Sequence, residues 1–356
     1  MSGSDRALPA HPTDEVLAQF DIAGGWTADL IVAGHINRTW RIEHARGCDV
    51  LQWINGAVFP DPARLVANTL AVAEHVRRKA PFVPAQARTL EGAPFARDTR
   101  GEVWRLTQFI ADTRTLLMPT GIAAAEAAGA GFGHFLQLTE DFETAGFVPA
   151  IAGFHDLRPR VHAYDAALRD DALVRAGACA DVTDFIAEHR ASLLALPFAA
   201  LPQRLIHGDC KISNLLLAKD RDEAVAVVDL DTVMPATLLF DFGDLVRSAC
   251  ATAREDEPDI ARVGVNAAQF AAIALGFRQA LGSSLQREEV ELMVPACAYI
   301  AFMLGVRFIT DHLSGDVYFH TERAGQNLDR ARAQLRMAAL FMLRRRSLEH
   351  ALAAQT

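Results

Sequence analysis

The sequence predicts an α+β protein, with an antiparallel sheet plus one helix in its N-terminal third and a mainly helical remainder. Three observations carry that expectation. Short runs rich in β-branched and aromatic residues, separated by Gly-bearing turns, fill the stretch up to Ile110. After Pro119 the composition shifts, and the chain becomes Ala-rich with helical periodicity. Inside the helical part, two apolar runs, Leu215 to Leu217 and Ala224 to Val228, flank the charged tip Lys219-Asp-Arg-Asp-Glu223 and read as a β-hairpin.

Taken in order, residues 1–12 are polar and Pro-containing, a composition expected to be mobile. Thr13 can cap a short helix from Asp14 to Phe20. Strands are expected over Thr27 to Val32, Thr39 to Glu43 and Asp49 to Ile54, with Gly34-His-Ile-Asn-Arg38 as the first turn. Asp61-Pro62 caps and starts a helix to about Lys79, with Leu65, Thr69, Val72 and Val76 on its buried side. A second β section runs over Ala87 to Leu90, Pro94 to Asp98 and Val103 to Ile110, with a turn at Thr99-Arg-Gly101. The boundary between an N-terminal part (1–115) and a C-terminal part (116–356) falls within 111–120. Helices then follow over Ile122 to Phe142, Asp156 to Arg169, Asp181 to Leu194, Ala267 to Leu281, Arg287 to Leu313 and Ala324 to His350. Gly177 and Pro197 punctuate them.

Composition narrows the function classes. With 356 residues, 51% apolar and 22% charged, the chain can bury a large core. Its formal charge of −9 argues against a nucleic-acid surface or a basic membrane anchor. Five scattered cysteines with no CxxC fit buried thiols in a reducing compartment better than a disulfide frame or zinc site. The N-terminus lacks a basic-then-apolar signal, and the longest apolar run, Val294 to Val306, is too short to span a bilayer. The expectation is a soluble cytoplasmic protein, with its oligomeric state left open.

The densest chemistry lies between Leu205 and Asp231. Asp209, in His207-Gly-Asp209, is followed five residues later by Asn214, and the hairpin's second run ends at Asp229. Antiparallel strands bring the start of the first run beside the end of the second, about 5 Å apart. Asn214 and Asp229 therefore converge near Asp209. An amide oxygen and a carboxylate facing one point suit a hard Mg²⁺ ion, with waters and phosphate oxygens completing the octahedron. The Asp-to-Asn spacing equals that of kinase catalytic loops, in which the Asp accepts the substrate hydroxyl proton and the Asn holds Mg²⁺. Asp231 is a further candidate for a second metal or for support of the first. His207 is expected to orient the loop backbone. Asp241-Phe-Gly243 has the letters of the protein-kinase metal motif but falls beyond the hairpin, so Asp241 reads as an N-cap and support for the next helix.

These residues resemble the aminoglycoside phosphotransferase and choline kinase superfamily. More narrowly, Asp229-Leu-Asp-Thr-Val-Met-Pro235 with Phe240-Asp-Phe-Gly-Asp244 is similar to the N-acetylhexosamine 1-kinases. So are Gly34-His-Ile-Asn37, Leu51-Gln52 with Ile54-Asn55, and Arg307-Phe-Ile-Thr-Asp311 with Gly315-Asp-Val-Tyr-Phe319. The likeness runs from about Phe20 to the last helix. It implies a two-lobed, protein-kinase-like fold holding ATP and Mg²⁺ between its lobes. The expected reaction is transfer of the γ-phosphate to the anomeric hydroxyl of N-acetylglucosamine or N-acetylgalactosamine.

The resemblance also implies site residues. Gly34, His35 and Asn37 match positions near nucleotide or sugar, and Gln52 stands where protein kinases carry a third-strand Lys, as it does in the similar sugar kinases. Gln108-Phe-Ile110 falls at the expected adenine hinge. Glu74 is either the helix carboxylate of a kinase or a solvated charge. Arg307 and Tyr318 match the acceptor wall. Arg307 then pairs with a sugar oxygen or with Asp311, and Tyr318 is either wall or core. Without the third-strand Lys, phosphate neutralisation falls to Mg²⁺ and a cation that the sequence does not place. Two alternatives stay open: a kinase of another small acceptor (another hexose, an aminoglycoside, an amino alcohol), or a non-catalytic nucleotide- or sugar-binding protein.

Overall fold

The computed structural model describes residues 11–31 and 36–353. All but the last two residues of the stretch expected to be mobile, and the turn residues Gly34 and His35, lie outside these. The chain divides into two compact units, Met1–Asp112 and Thr113–Thr356.

The first unit is a five-stranded antiparallel sheet with a helix against each face. Its elements are α1 (Asp14–Ala18), β1 (Thr27–Ile31), β2 (Arg38–His44), β3 (Gly47–Trp53), α2 (Pro62–Arg77), β4 (Ala96–Arg97) and β5 (Val103–Gln108), in sheet order β1-β2-β3-β5-β4. Thr13 and Asp61 cap α1 and α2, their side-chain oxygens accepting from the amides of Val16 and Arg64. Strand alternation sorts the two faces. Trp40, Leu51 and Leu106 are paired across β2, β3 and β5, and with Trp53 and Trp104 they join Val16, Leu17 and Phe20 in one apolar cluster. Thr39, Gln52 and Arg105 are paired one register step away and so belong to the opposite face, toward α2. There Leu65, Thr69, Val72 and Val76 are buried, as the helical spacing predicts.

The second unit contains β6 (Thr113–Arg114), α3 (Ile122–Leu138), α4 (Leu157–Asp170), α5 (Ala180–Leu194), β7 (Arg204–Ile206), β8 (Leu215–Ala218), β9 (Ala224–Val227), β10 (Met234–Ala236), α6 (Leu239–Ala249), α7 (Ala267–Leu281), α8 (Arg287–Leu313), α9 (Gln326–Leu343) and α10 (Arg345–Ala353). Glycines let α3 and α7 touch. A Cβ on Gly129 would meet the Ile273 carbonyl oxygen at 2.0 Å, and one on Gly276 would meet that of Glu126 at 2.2 Å. Helix α8 is long and apolar enough to cross a membrane, although its apolar run alone is not. It is a core helix here, with 83% of an apolar 18-residue stretch buried inside the protein.

The last expected helix proves to be two. It breaks at Arg344, whose guanidinium donates to the Val265 carbonyl, and the bend lets α10 bury Leu348 and Leu352. All five cysteines are free; Cys48 is partly exposed and the others are buried.

Candidate functional site

Two small sheets frame the Asp209 loop. Strand β7 pairs with β10, Ile206 opposite Met234, while β8 and β9 form the expected hairpin with β6 on its edge. Upstream, β7 is anchored by a buried bidentate ion pair, with the Arg204 guanidinium 2.7 and 3.2 Å from the Glu289 carboxylate in the first turn of α8.

The loop backbone is held from several sides. Asp241 accepts the amides of His207 (2.7 Å) and Gly208 (2.8 Å) on its two carboxylate oxygens. It sits within the first turn of α6, whose N-cap is Leu238, so it supports the loop and does not cap the helix. Burial pushes the Asp241 carboxyl up, while His207 and the two loop amides oppose that shift. Both ring nitrogens of His207 are engaged. Nε2 donates to the Val228 carbonyl (2.9 Å) and Nδ1 accepts the Asp209 amide (3.2 Å), an arrangement that orients the loop and leaves no nitrogen for proton transfer. Gly208 has φ +84°, and a Cβ there would lie 2.4 Å from the Thr232 carbonyl oxygen, so only glycine fits.

Asn214 donates Nδ2 to the Asp209 carbonyl oxygen (2.9 Å) and to its Oδ2 (3.1 Å), which turns the carboxamide oxygen away from Asp209. The Val228 amide donates to the Asn214 carbonyl oxygen at 2.9 Å, bringing the next residue, Asp229, beside Asn214. Asp229 is exposed in a left-handed conformation (φ +65°), whereas Asp231 is 4% exposed in the following turn. These hard oxygen donors fit Mg²⁺. Among the described residues no three His, Cys, Asp or Glu side chains gather to hold an ion unaided.

Lys211, two residues after Asp209, adds a further charged group to this loop. Its ammonium lies 3.0 Å from Asp209 Oδ2. Burial pulls its pKa down, but Asp209 and Asp229 outweigh that and leave it raised.

The candidate acceptor wall is built around Arg307, on α8. Its guanidinium carbon lies 5.0, 5.7 and 5.3 Å from the ring centres of Phe154, Tyr318 and Phe319. Burial lowers its pKa, and the charge of Asp209 acts on it in the opposite sense. Asp311 is not its partner. The Asp311 carboxylate accepts the amides of Val317 (3.0 Å), Tyr318 (2.8 Å) and Phe319 (2.9 Å) and the Asn327 side chain (2.9 Å), fixing the loop that carries two of the three rings. Tyr318 is 57% exposed, so it is not a core residue.

His155 had no signal in the sequence. Its Nε2 donates to the Gly208 carbonyl at 2.8 Å, and it is 4% exposed. Among the described residues nothing hydrogen-bonds its Nδ1. Burial lowers its pKa to about 4, and the Arg307 charge adds to the effect, against Asp244, Asp209 and the Gly208 carbonyl. Tyr299 braces it by donating its hydroxyl to the His155 carbonyl while accepting the Leu157 amide, each at 2.9 Å.

In the first unit, Asn37 accepts the Asn55 amide at 3.0 Å, and Gln52 is bonded to Thr39 and Arg105. Gln108 donates its amide to the Ala85 carbonyl, and Ile110 follows beyond the end of β5. Glu74 pairs with Arg88 at 2.7 Å, both half exposed, so it is the solvated charge of the two readings.

Residues 27–278 match the phosphotransferase enzyme family. Three similar solved structures are an aminoglycoside phosphotransferase from Alicyclobacillus acidocaldarius (14% identity, 98% of this chain and 99% of that one, TM-score 0.67), a microcompartment-associated aminopropanol kinase (14%, 94% and 96%, 0.67) and the GDP complex of aminoglycoside 2'-phosphotransferase-IIIa (11%, 90% and 96%, 0.63). At these identities the likeness establishes the fold, the protein-kinase-like α+β arrangement expected from the sequence.

Proposed function

The chain belongs to the phosphotransferase enzyme family, a small-molecule kinase among hydroxyl-directed enzymes, and from that premise we propose its substrate. It transfers the γ-phosphate of ATP to the anomeric hydroxyl of an N-acetylhexosamine, giving the sugar 1-phosphate. The observation that carries this reading is Arg307, a cation caged by three aromatic rings and within the electrostatic reach of Asp209. A fixed cation disfavours aminoglycosides, choline and amino alcohols, all of which arrive positively charged. A neutral sugar offers hydroxyl and N-acetyl oxygens to the guanidinium and an apolar ring face to Tyr318.

Asp209 accepts the acceptor's proton, and an anomeric hydroxyl is acidic enough for a carboxylate base. Lys211 sets a positive charge beside Asp209, where negative charge moves during transfer. Asn214 and Asp229 hold Mg²⁺, with Asp231 supporting their turn. When bound, the ion would supply positive charge to offset the negative charge that develops during phosphoryl transfer. Gly34, His35, Asn37 and Gln52 attend the nucleotide and the sugar, and Gln108 to Ile110 the adenine.

The test is Mg²⁺-dependent ADP release with N-acetylglucosamine, N-acetylgalactosamine, glucose, galactose, choline and kanamycin, scoring loss of the reducing end. Turnover with an N-acetylhexosamine and a blocked reducing end is the expected result. Turnover with choline or kanamycin alone would sink the substrate reading.

A further inference from the structure

The third strand lacks a lysine, and the structure offers a cation in its place. Arg105, on β5, is directly opposite Gln52 of β3 and is 4% exposed. Its Nε donates to Gln52 Oε1 at 2.8 Å, and its Nη1 lies 3.4 Å from Thr69 Oγ1 on α2. Gln52, only partly buried, turns its Nε2 outward to Thr39 Oγ1 of β2 at 3.0 Å. Among the described residues no partner takes the second amide hydrogen of Gln52.

We infer that Arg105 and Gln52 form a relay that delivers positive charge to the nucleotide phosphates. The guanidinium holds the Gln52 oxygen and polarises the amide, and the amide N–H donates to a phosphate oxygen. The physical grounds are three. A guanidinium stays protonated at every working pH, so its charge is permanent. Hydrogen bonds in series strengthen one another in a low-dielectric interior. Burial between sheet and helix keeps water from screening that charge, so its field acts at close to full strength on the Gln52 amide.

In kinases, the third-strand lysine meets a glutamate on the helix. Here Glu74 faces solvent beside Arg88, and Thr69 makes the helix contact with Arg105. Arg105 is thus a positioning residue that acts through Gln52. The inference rests on the proposed nucleotide reading of this unit.

The test is calorimetric binding of adenosine, ADP and ATP with Mg²⁺. Arg105→Met is expected to weaken ADP and ATP by about 10- to 100-fold, the range for a charge-assisted hydrogen bond, while adenosine changes less than about twofold. Adding Gln52→Lys to Arg105→Met should recover most of the ADP affinity, because the lysine then stands on β3 itself. Equal weakening of adenosine and ADP would reduce Arg105 to a structural tie and overturn the relay. Should Arg105→Met fail to fold, Gln52→Met removes the terminal donor and is judged by the same adenosine-to-ADP comparison. A wild-type protein that binds adenosine no better than buffer would overturn the nucleotide reading and the relay together. Intact wild-type binding with no phosphate-selective loss in either variant would overturn the relay alone.

Discussion

The two carboxylate oxygens of Asp241 are each spent on a backbone amide, Oδ1 on Gly208 and Oδ2 on His207. This clamp sets the path of the chain immediately before Asp209. The neighbouring braces reach the same two residues: Thr232 donates to the His207 carbonyl at 3.0 Å, and His155 to the Gly208 carbonyl.

Asp241→Asn should therefore lose far more than one hydrogen bond. The new amide hydrogens face a backbone N–H, and a buried donor is left unpaired at a cost of about 3 kcal/mol. Thermal unfolding should shift down and kcat should fall at least tenfold, with KM for nucleotide little changed. A variant with wild-type kcat would show that the clamp does not position Asp209.

Asp209→Asn removes the proton acceptor while preserving shape. The expected loss in kcat is about 10²- to 10⁴-fold, with nucleotide binding retained in calorimetry. Retained turnover would move the base to another residue. Loss of nucleotide binding alone would make Asp209 a ligand-holding group.

Arg307→Gln should raise acceptor KM by about 10- to 100-fold and leave KM for ATP within about twofold, since a charged donor is replaced by a neutral one. Steady-state kinetics with N-acetylglucosamine and N-acetylgalactosamine measures this. An unchanged acceptor KM would remove Arg307 from the wall and weaken the argument against cationic acceptors.

His155 makes stability depend on pH. Its folded pKa, about 4, lies below the ordinary histidine value of 6.5 because burial disfavours the charged ring. Between those values the unfolded chain binds the proton and the folded chain does not, so stability is full above pH 6.5 and is lost as pH falls toward 4. The integrated loss is about 3 kcal/mol. Urea midpoints at pH 7 and pH 5 should differ less in His155→Gln than in the wild type. Equal differences would mean that other groups set the acid sensitivity.

Several of these relationships were legible in the chain alone. The Asp209, Asn214 and Asp229 spacing and the β8–β9 hairpin are local, because strand pairing across a short tip follows from alternation and turn residues. The caps at Thr13 and Asp61, and the limits of α7 and α8, are equally local. Lys211 also carried a signal, two residues after Asp209 in the same loop, though its reach to that carboxylate did not. The single long helix expected over Ala324 to His350 failed because helical periodicity does not register a bend that buries Leu348 and Leu352.

By itself, the sequence determined the sheet-then-helix order, the spacing of Asp209, Asn214 and Asp229 and the absence of a third-strand lysine. Only the tertiary structure decided that Asp241 supports the loop and does not cap its helix, and that Asp311 orders residues 317–319 and leaves Arg307 to the rings. It alone brought His155 beneath Gly208 and Arg105 behind Gln52. The physical reason is separation along the chain: these pairs lie 53 and 53 residues apart. What joins them is the packing of whole elements, which no periodicity within one element can encode.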